Sequence, residues 1–141
     1  MSDPRISLER ILPHSYPFLL IDRVVEMEEE RQVVCLKNVS CDEDIVKGYC
    51  PDDPIFPPVY IVEAMAQASG LLLNNKRSHG AFLSMIKDVT FHNAVRPGDR
   101  LMITSFLFHS FSPLFVFKVS ASVEGNLVAE AEITLALTNN E

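Results

Sequence analysis

The chain has 141 residues, of which 48% are hydrophobic and 22% charged. This composition is typical of one compact globular domain spanning residues 1–141, not of a disordered or fibrous protein. The net charge is −7, from 19 acidic and 12 basic residues, and no extended basic run occurs, which argues against a nucleic-acid-binding protein.

The N-terminal part of the chain predicts one short helix and two strands. Ser7 is a suitable N-cap for a helix over 7–12 that ends before Pro13. Alternating apolar residues predict strands over 18–26 and 31–39, joined by an acidic turn.

An irregular loop is predicted after the second strand, over 40–58. Four prolines fall within its last eight residues, beside Asp52 and Asp53. Proline fixes φ and removes a hydrogen-bond donor, so we expect no regular structure here. Long loops inside small domains are often functional.

A central helix is predicted over 59–73, where alanine, leucine and methionine dominate and Pro58 suits the first turn. Apolar residues on nearly every side predict a helix that is buried all round. The exceptions are Glu63 and Gln67, which share one helix face because they are four residues apart. A carboxylate on a buried helix must be neutral, paired or facing a cavity, so Glu63 is a candidate site residue.

The C-terminal part predicts four strands separated by Gly- and Pro-containing turns, over 81–91, 100–110, 114–123 and 127–137. Two strands, one buried helix and four strands predict an α+β fold, with an antiparallel sheet wrapped around one long helix. One sheet face would cover the helix, and a second subunit would cover part of the rest. We therefore expect at least a dimer.

Several other classes of protein are excluded by spacing. The five glycines are too far apart for a GxGxxG motif or a P-loop, and the four histidines form no metal-binding pattern. Cys35, Cys41 and Cys50 have no CxxC spacing, so free thiols are expected. The charged N-terminus does not resemble a signal peptide, and no apolar run approaches the roughly 20 residues of a membrane span. We expect a cytoplasmic protein.

Six segments carry motifs in a characteristic order: LPHSYPFLLIDRV at 12–24, KNV at 37–39, the loop at 48–59, IVEAMAQ at 61–67, VRPGD at 95–99 and VAEAE at 128–132. Together they resemble the β-hydroxyacyl-acyl carrier protein dehydratases of the FabA/FabZ type, and FabZ more closely. The resemblance runs from Leu12 to Leu137. It implies the hot-dog fold and a homodimer, or a trimer of dimers, with acyl tunnels between subunits. It also implies acyl carrier protein or an acyl thioester as partner. No cofactor is implied, because the phosphopantetheine arm of the carrier protein holds the substrate.

The family's reaction removes water from a β-hydroxyacyl thioester. It needs a base for the α-proton, an acid for the leaving hydroxyl and a donor to the thioester carbonyl. The resemblance assigns the acid–base work to a histidine in a GHFP loop and a glutamate on the central helix, facing each other across the subunit interface. The donor is the backbone N–H of a Pro-Gly step. The glutamate matches Glu63, and the resemblance places Gln67, Pro58, Val59 and Cys50 at the substrate.

Two of these functions are altered in this chain. The GHFP loop reads GYCP at 48–51, so that Tyr49 occupies the position of the catalytic histidine. The Pro-Gly step reads Pro57-Pro58, and proline has no N–H to donate. Asp52 also stands where the family has glycine. An ordinary phenol, with a pKa of about 10, can give a proton but is a poor base at neutral pH. We therefore expect a degenerate dehydratase site in which Glu63 and Tyr49 are the catalytic candidates.

The remaining chemical side chains have simpler interpretations. Cys50 is interpreted as a small buried residue, because no base for a nucleophile stands near it in the sequence. His14 is interpreted as structural, and His92 and His109 as surface or packing residues. Five phenylalanines are predicted to form core and tunnel wall: Phe106, Phe108, Phe111, Phe115 and Phe117. Four basic residues could form a patch for the acidic carrier protein: Lys76, Arg77, Arg96 and Arg100.

Three functions remain open on the sequence alone. The first is a weak or altered dehydratase that uses Glu63 with Tyr49 as acid. The second is a non-catalytic acyl-binding subunit, or a partner of an active paralogue, in which Tyr49 fills the pocket. The third is thioester hydrolysis with Glu63 and water. A cavity open to Glu63 would favour an enzyme.

Overall fold

The computed structural model describes residues 12–14, 16–73 and 80–138. These residues form two helices and six strands: β1 Arg23–Glu28, β2 Gln32–Asn38, α1 Asp44–Lys47, α2 Pro58–Leu71, β3 Gly80–Phe91, β4 Arg100–Phe111, β5 Leu114–Val123 and β6 Asn126–Thr138. The helix predicted over 7–12 lies outside the described residues except for Leu12. In these ranges, no helix is long and apolar enough to cross a bilayer.

All six strands belong to one antiparallel sheet, in the order β1-β2-β4-β5-β6-β3. A two-residue hairpin joins β5 to β6, where Glu124 and Gly125 have φ angles of 50° and 80°. Two successive positive φ angles are typical of a type I′ turn, which matches the twist of the flanking strands. Helix α2 packs against every strand from β2 to β6. This is the α+β hot-dog architecture that the sequence predicts.

Helix α2 is buried along most of its length, as its apolar composition predicts. Ile61, Ala64, Met65, Ala68 and Leu71 are at most 1% exposed. Proline at its first position costs no hydrogen bond, because the first N–H groups of a helix have no partner inside it. The buried helix thereby fixes the position of the few polar side chains that it carries.

Two predicted boundaries are wrong for local reasons. The stretch 40–58 contains the short helix α1, because its prolines begin only at Pro51 and leave the preceding residues free to form a turn of helix. The first strand begins at Arg23 instead of Phe18. The carbonyl of Phe18 and the N–H of Leu20 bind the side chain of Gln67 and not a neighbouring strand.

Of the five phenylalanines predicted to form core and tunnel wall, two lie in the core of the single chain. Phe115 and Phe117 are buried, whereas Phe106, Phe108 and Phe111 are 45%, 51% and 57% exposed. The sheet register explains Phe106, which lies opposite the exposed Lys118. Since cross-strand neighbours point to the same face, Phe106 points away from the core.

Candidate active site

Glu63 is held on the central helix by its neighbour one turn away. Gln67 Nε2 donates to Glu63 Oε1 over 3.0 Å, as the spacing of four residues allows. The Glu63 side chain is 23% exposed, so the carboxylate is neither sealed in the core nor free in solvent.

Gln67 ties this helix to the N-terminal segment. Its side chain is 2% exposed, and it uses both ends of the amide. Nε2 donates to the Phe18 carbonyl over 2.8 Å, and Oε1 accepts from the Leu20 N–H over 2.8 Å. Gln67 is a candidate substrate-binding residue, and the hydrogen bonds of its side chain go to Glu63 and to the backbone. The structure therefore gives it a positioning role.

His14 is a site residue that the sequence does not reveal. Its Nε2 lies 3.4 Å from Glu63 Oε1, and its ring stacks on Phe18 with the centroids 5.9 Å apart. His14 Nδ1 is buried and has no hydrogen-bond partner among the described residues. The histidine stands in the LPHSYPF motif, yet nothing in the linear sequence places residue 14 beside residue 63.

These contacts determine the charge of Glu63. Burial would raise the pKa of the Glu63 carboxyl. The hydrogen bonds from His14 and Gln67, together with the positive charge of His14, outweigh burial and lower the pKa below its ordinary value. Glu63 is therefore an anion at neutral pH.

A cavity of about 190 Å³ opens beside this carboxylate. His14, Glu63 and Gln67 supply its polar groups, and β3 and β6 supply apolar side chains: Ala81, Phe82, Leu83 and Leu135. Tyr49 does not line the cavity and is 39% exposed. The phenol therefore does not fill the space beside Glu63 in a single chain.

The start of α2 offers one free backbone donor. The Tyr60 N–H bonds the Pro57 carbonyl over 2.9 Å, and the Ile61 N–H reaches the same carbonyl at 3.4 Å. Pro58 has no N–H. The N–H of Val59 makes no hydrogen bond within the described part of the chain, and the residue is 71% exposed. The donor closest to the family's Pro-Gly position is therefore the N–H of Val59, one residue later.

Tyr49 and Cys50 lie on the loop after α1, and no hydrogen bond, ion pair or ring contact in the described ranges joins either to Glu63. Cys50 was interpreted as buried, but it is exposed in a turn, with a φ of 49°. Among the three cysteines, which are free as expected, only Cys35 is buried. Burial raises the pKa of the Cys35 thiol to about 12.

The other predicted residues lie away from the cavity. Arg96 pairs with Asp53 at 2.5 Å, and His92 pairs with Glu130 at 3.0 Å. His109 lies exposed beside the rings of Phe108 and Phe111. Arg100 is exposed, and Lys76 and Arg77 lie outside the described residues. Across the described ranges, no three His, Cys, Asp or Glu side chains cluster as metal ligands would.

The site is thus a helix-borne carboxylate beside a cavity in a hot-dog fold. The chain belongs to the FabA-like family, whose domain model matches residues 12–132. It is 44% identical over 135 residues to the 3-hydroxyacyl-(acyl-carrier-protein) dehydratase FabZ of Ruminiclostridium cellulolyticum, covering 93% of this chain and 94% of that enzyme. The same enzyme of Listeria welshimeri is 42% identical over 136 residues, covering 94% of both chains.

Solved structures show the same fold at low sequence identity. The dehydratase heterocomplex ApeI:P from Xenorhabdus doucetiae superposes with a TM-score of 0.84 at 22% identity, covering 99% of this chain and 94% of that chain. Cj0977, a sigma28-regulated virulence protein from Campylobacter jejuni, gives a TM-score of 0.74 at 15% identity, covering 95% and 89%.

Proposed function

We propose that this chain removes water from β-hydroxyacyl thioesters carried by acyl carrier protein, at a low rate, with Glu63 as the base. One observation carries the proposal: the Glu63 carboxylate is ionised and faces a cavity that Tyr49 leaves open. The names of the FabZ relatives supply the reaction and the carrier protein.

The proposed step balances with the groups available. Glu63 takes the α-proton of the substrate, and the electron pair of that C–H bond becomes the new carbon–carbon double bond as the bond to the β-hydroxyl breaks. The hydroxyl leaves as water with a proton from the Tyr49 phenol of a second copy. Water returns the proton from Glu63 to that phenolate. The Val59 N–H is the donor that would polarise the thioester carbonyl.

The low rate follows from the two altered positions. Loss of a preorganised carbonyl donor typically slows catalysis by about 10²–10³-fold. Pro58 stands at the position of the family's donor and has no N–H. The N–H of Val59 lies one residue later. A phenol in place of imidazole also transfers protons less readily near neutral pH.

A second copy of the chain is part of the proposal. Strand β3 forms one edge of the sheet and exposes five large apolar side chains, each between 38% and 56%: Phe82, Leu83, Met85, Ile86 and Phe91. An apolar edge strand of 12 residues is costly to leave in water and suits pairing with another chain. A homodimer paired there covers this edge and brings a second set of loop residues towards the cavity.

The test is a turnover assay on β-hydroxyacyl thioesters of acyl carrier protein. It measures enoyl product and free thiol for the wild type, Glu63→Gln, Tyr49→His, Pro58→Gly and the Tyr49→His/Pro58→Gly double variant. We expect slow enoyl formation, its loss in Glu63→Gln, and an increase of about 10²-fold or more in the double variant. Tyr49→Phe is the matched control for removing only the phenol hydroxyl.

Two results would contradict the proposal. Free thiol released without enoyl product would assign a thioesterase. A folded double variant without turnover would show that positions 49 and 58 do not explain the low rate.

A second candidate function is a non-catalytic subunit that pairs with an active paralogue. It is favoured by the simultaneous change of Tyr49 and Pro58, and by the structural neighbour named as a dehydratase heterocomplex. The discriminating measurement is turnover of the isolated chain against turnover after co-expression with a histidine-bearing member of the family. Activity only in the mixed sample, unaffected by Glu63→Gln in this chain, would support the subunit function.

A further inference from the structure

The side chains of His14 and Glu63 form a polar pair, and no residue of the loop that carries Tyr49 takes part in it. His14 Nε2 faces Glu63 Oε1 at 3.4 Å, the same oxygen that accepts the hydrogen bond from Gln67 at 3.0 Å. A carboxylate can only accept, so the imidazole nitrogen that faces it carries the proton. Glu63 Oε2 has no partner among the described residues and is the oxygen left for substrate.

The orientation of the His14 ring is fixed from two sides. Phe18 stacks on it at an interplanar angle of 22°, and the Phe18 carbonyl is itself held by Gln67. Because Nδ1 has no partner in the described ranges, the contact with Glu63 is the polar interaction that these residues offer the ring. The side chains of His14, Glu63 and Gln67 therefore form one unit around Glu63 Oε1.

No other charge competes for this carboxylate in the described part of the cavity. The strands that line it, β3 and β6, contribute only apolar side chains there. Gln67 is polar but does not titrate. His14 is therefore the one titratable neighbour of Glu63 that the cavity contains within these residues.

We propose that His14 is a positioning residue that commits Glu63 to the role of base, by donating from Nε2 to Oε1 and leaving Oε2 free for the α-proton. The inference deepens the proposed function and rests on it. It also places the imidazole that supports catalysis in the N-terminal segment of the same subunit. A carboxyl group that was equally buried but lacked the partners His14 and Gln67 would keep its proton to a higher pH. His14 and Gln67 favour the ionised form of Glu63, which is the form that accepts a proton.

The experiment combines two readouts on His14→Phe and His14→Gln. The first is the titration midpoint of the Glu63 carboxyl carbon by ¹³C NMR, assigned with Glu63→Gln, which needs no turnover. The second is the pH profile of kcat/KM for dehydration. His14→Phe keeps a ring on Phe18 but removes the donor, so both the Glu63 midpoint and the acid limb should move to higher pH. His14→Gln retains a donor without the charge and should restore part of the shift.

The matched control is His92→Gln, which breaks the exposed histidine–carboxylate pair between His92 and Glu130. It should leave the Glu63 midpoint unchanged. An unchanged midpoint in both folded His14 variants would overturn the proposal, whether or not the chain turns over. If the midpoint moves but the acid limb does not, Glu63 is not the base, and the role given to His14 is overturned with it. If the chain shows no turnover but the Glu63 midpoint moves in the His14 variants, the proposed function is refuted, while the interaction between His14 and Glu63 is supported.

Discussion

The two halves of the candidate site are attached to the fold in opposite ways. The inner half, formed by His14, Glu63 and Gln67, rests on a buried helix, and each member contacts another member or the backbone. The loop half, residues 48–53, includes Tyr49 and Cys50, which are both exposed and make no hydrogen bond, ion pair or ring contact with the inner half within the described residues.

This difference shows where the site can change without loss of folding. Removal of one member of the inner half leaves buried polar groups without partners, and such groups are costly. An exposed side chain in a loop can be replaced with little effect on stability. Of the two positions that depart from the dehydratase motifs, Tyr49 is an exposed residue of the loop half, and Pro58 is the half-buried first residue of α2, where a proline costs no hydrogen bond. The chain has therefore retained the half whose loss would cost most in stability.

The largest expected effect comes from replacing Gln67 with leucine, which tests the difference in stability between the two halves. Gln67→Leu keeps the size of the side chain but leaves the Phe18 carbonyl and the Leu20 N–H without their partner. An unsatisfied buried group costs about 1–3 kcal/mol; the Leu20 N–H is buried and the Phe18 carbonyl only partly, so the unfolding free energy should fall by about 2–4 kcal/mol in urea denaturation.

The matched change in the loop half is Tyr49→Phe, which should alter stability by less than about 0.5 kcal/mol, as exposed substitutions do. Equal losses for the two variants would show that the halves do not differ in this way.

A second prediction concerns acid stability. The pKa of Glu63 in the folded state lies below the ordinary value of 4.5. The contribution of Glu63 to stability is therefore fully present above that value and is lost as the pH falls through the lower folded-state pKa. Glu63→Gln should be less stable than the wild type at pH 7, and the difference should narrow as the pH falls below about 4.5.

The measurement is urea denaturation at several pH values between 7 and 3. Tyr49→Phe serves as the loop-half control, because neither tyrosine nor phenylalanine titrates in this range. Its stability should follow that of the wild type throughout. A constant gap between wild type and Glu63→Gln at all pH values would show that the carboxylate gains nothing from His14 and Gln67.

The sequence predicts the parts of the molecule that depend on neighbours in the chain. Periodicity and turn residues predict α2 and four strands nearly to the residue, and the spacing of Glu63 and Gln67 predicts their contact on one helix face. Both signals act within a few residues, where the geometry of a helix or strand is fixed.

The remainder depends on contacts between distant parts of the chain. The partners of Gln67 at Phe18 and Leu20 are separated from it by 49 and 47 residues. His14 was interpreted as structural because no local pattern indicates which helix residue it will meet. The outward direction of Phe106 depends likewise on its register with β5. Such contacts follow from the fold and not from local spacing.

The smallest expected effect concerns the ion pair between Asp53 of the loop half and Arg96. The side chains of Arg96 and Asp53 are 51% and 74% exposed, and exposed ion pairs contribute about 0–1 kcal/mol. A double-mutant cycle with Asp53→Asn and Arg96→Gln should give a coupling energy below about 1 kcal/mol that disappears in about 1 M salt. A salt-resistant coupling above about 2 kcal/mol would mean that the loop is held as firmly as the inner half. Since weak attachment is what permits residue 49 to change at little cost, that result would remove the physical basis for the contrast between the two halves.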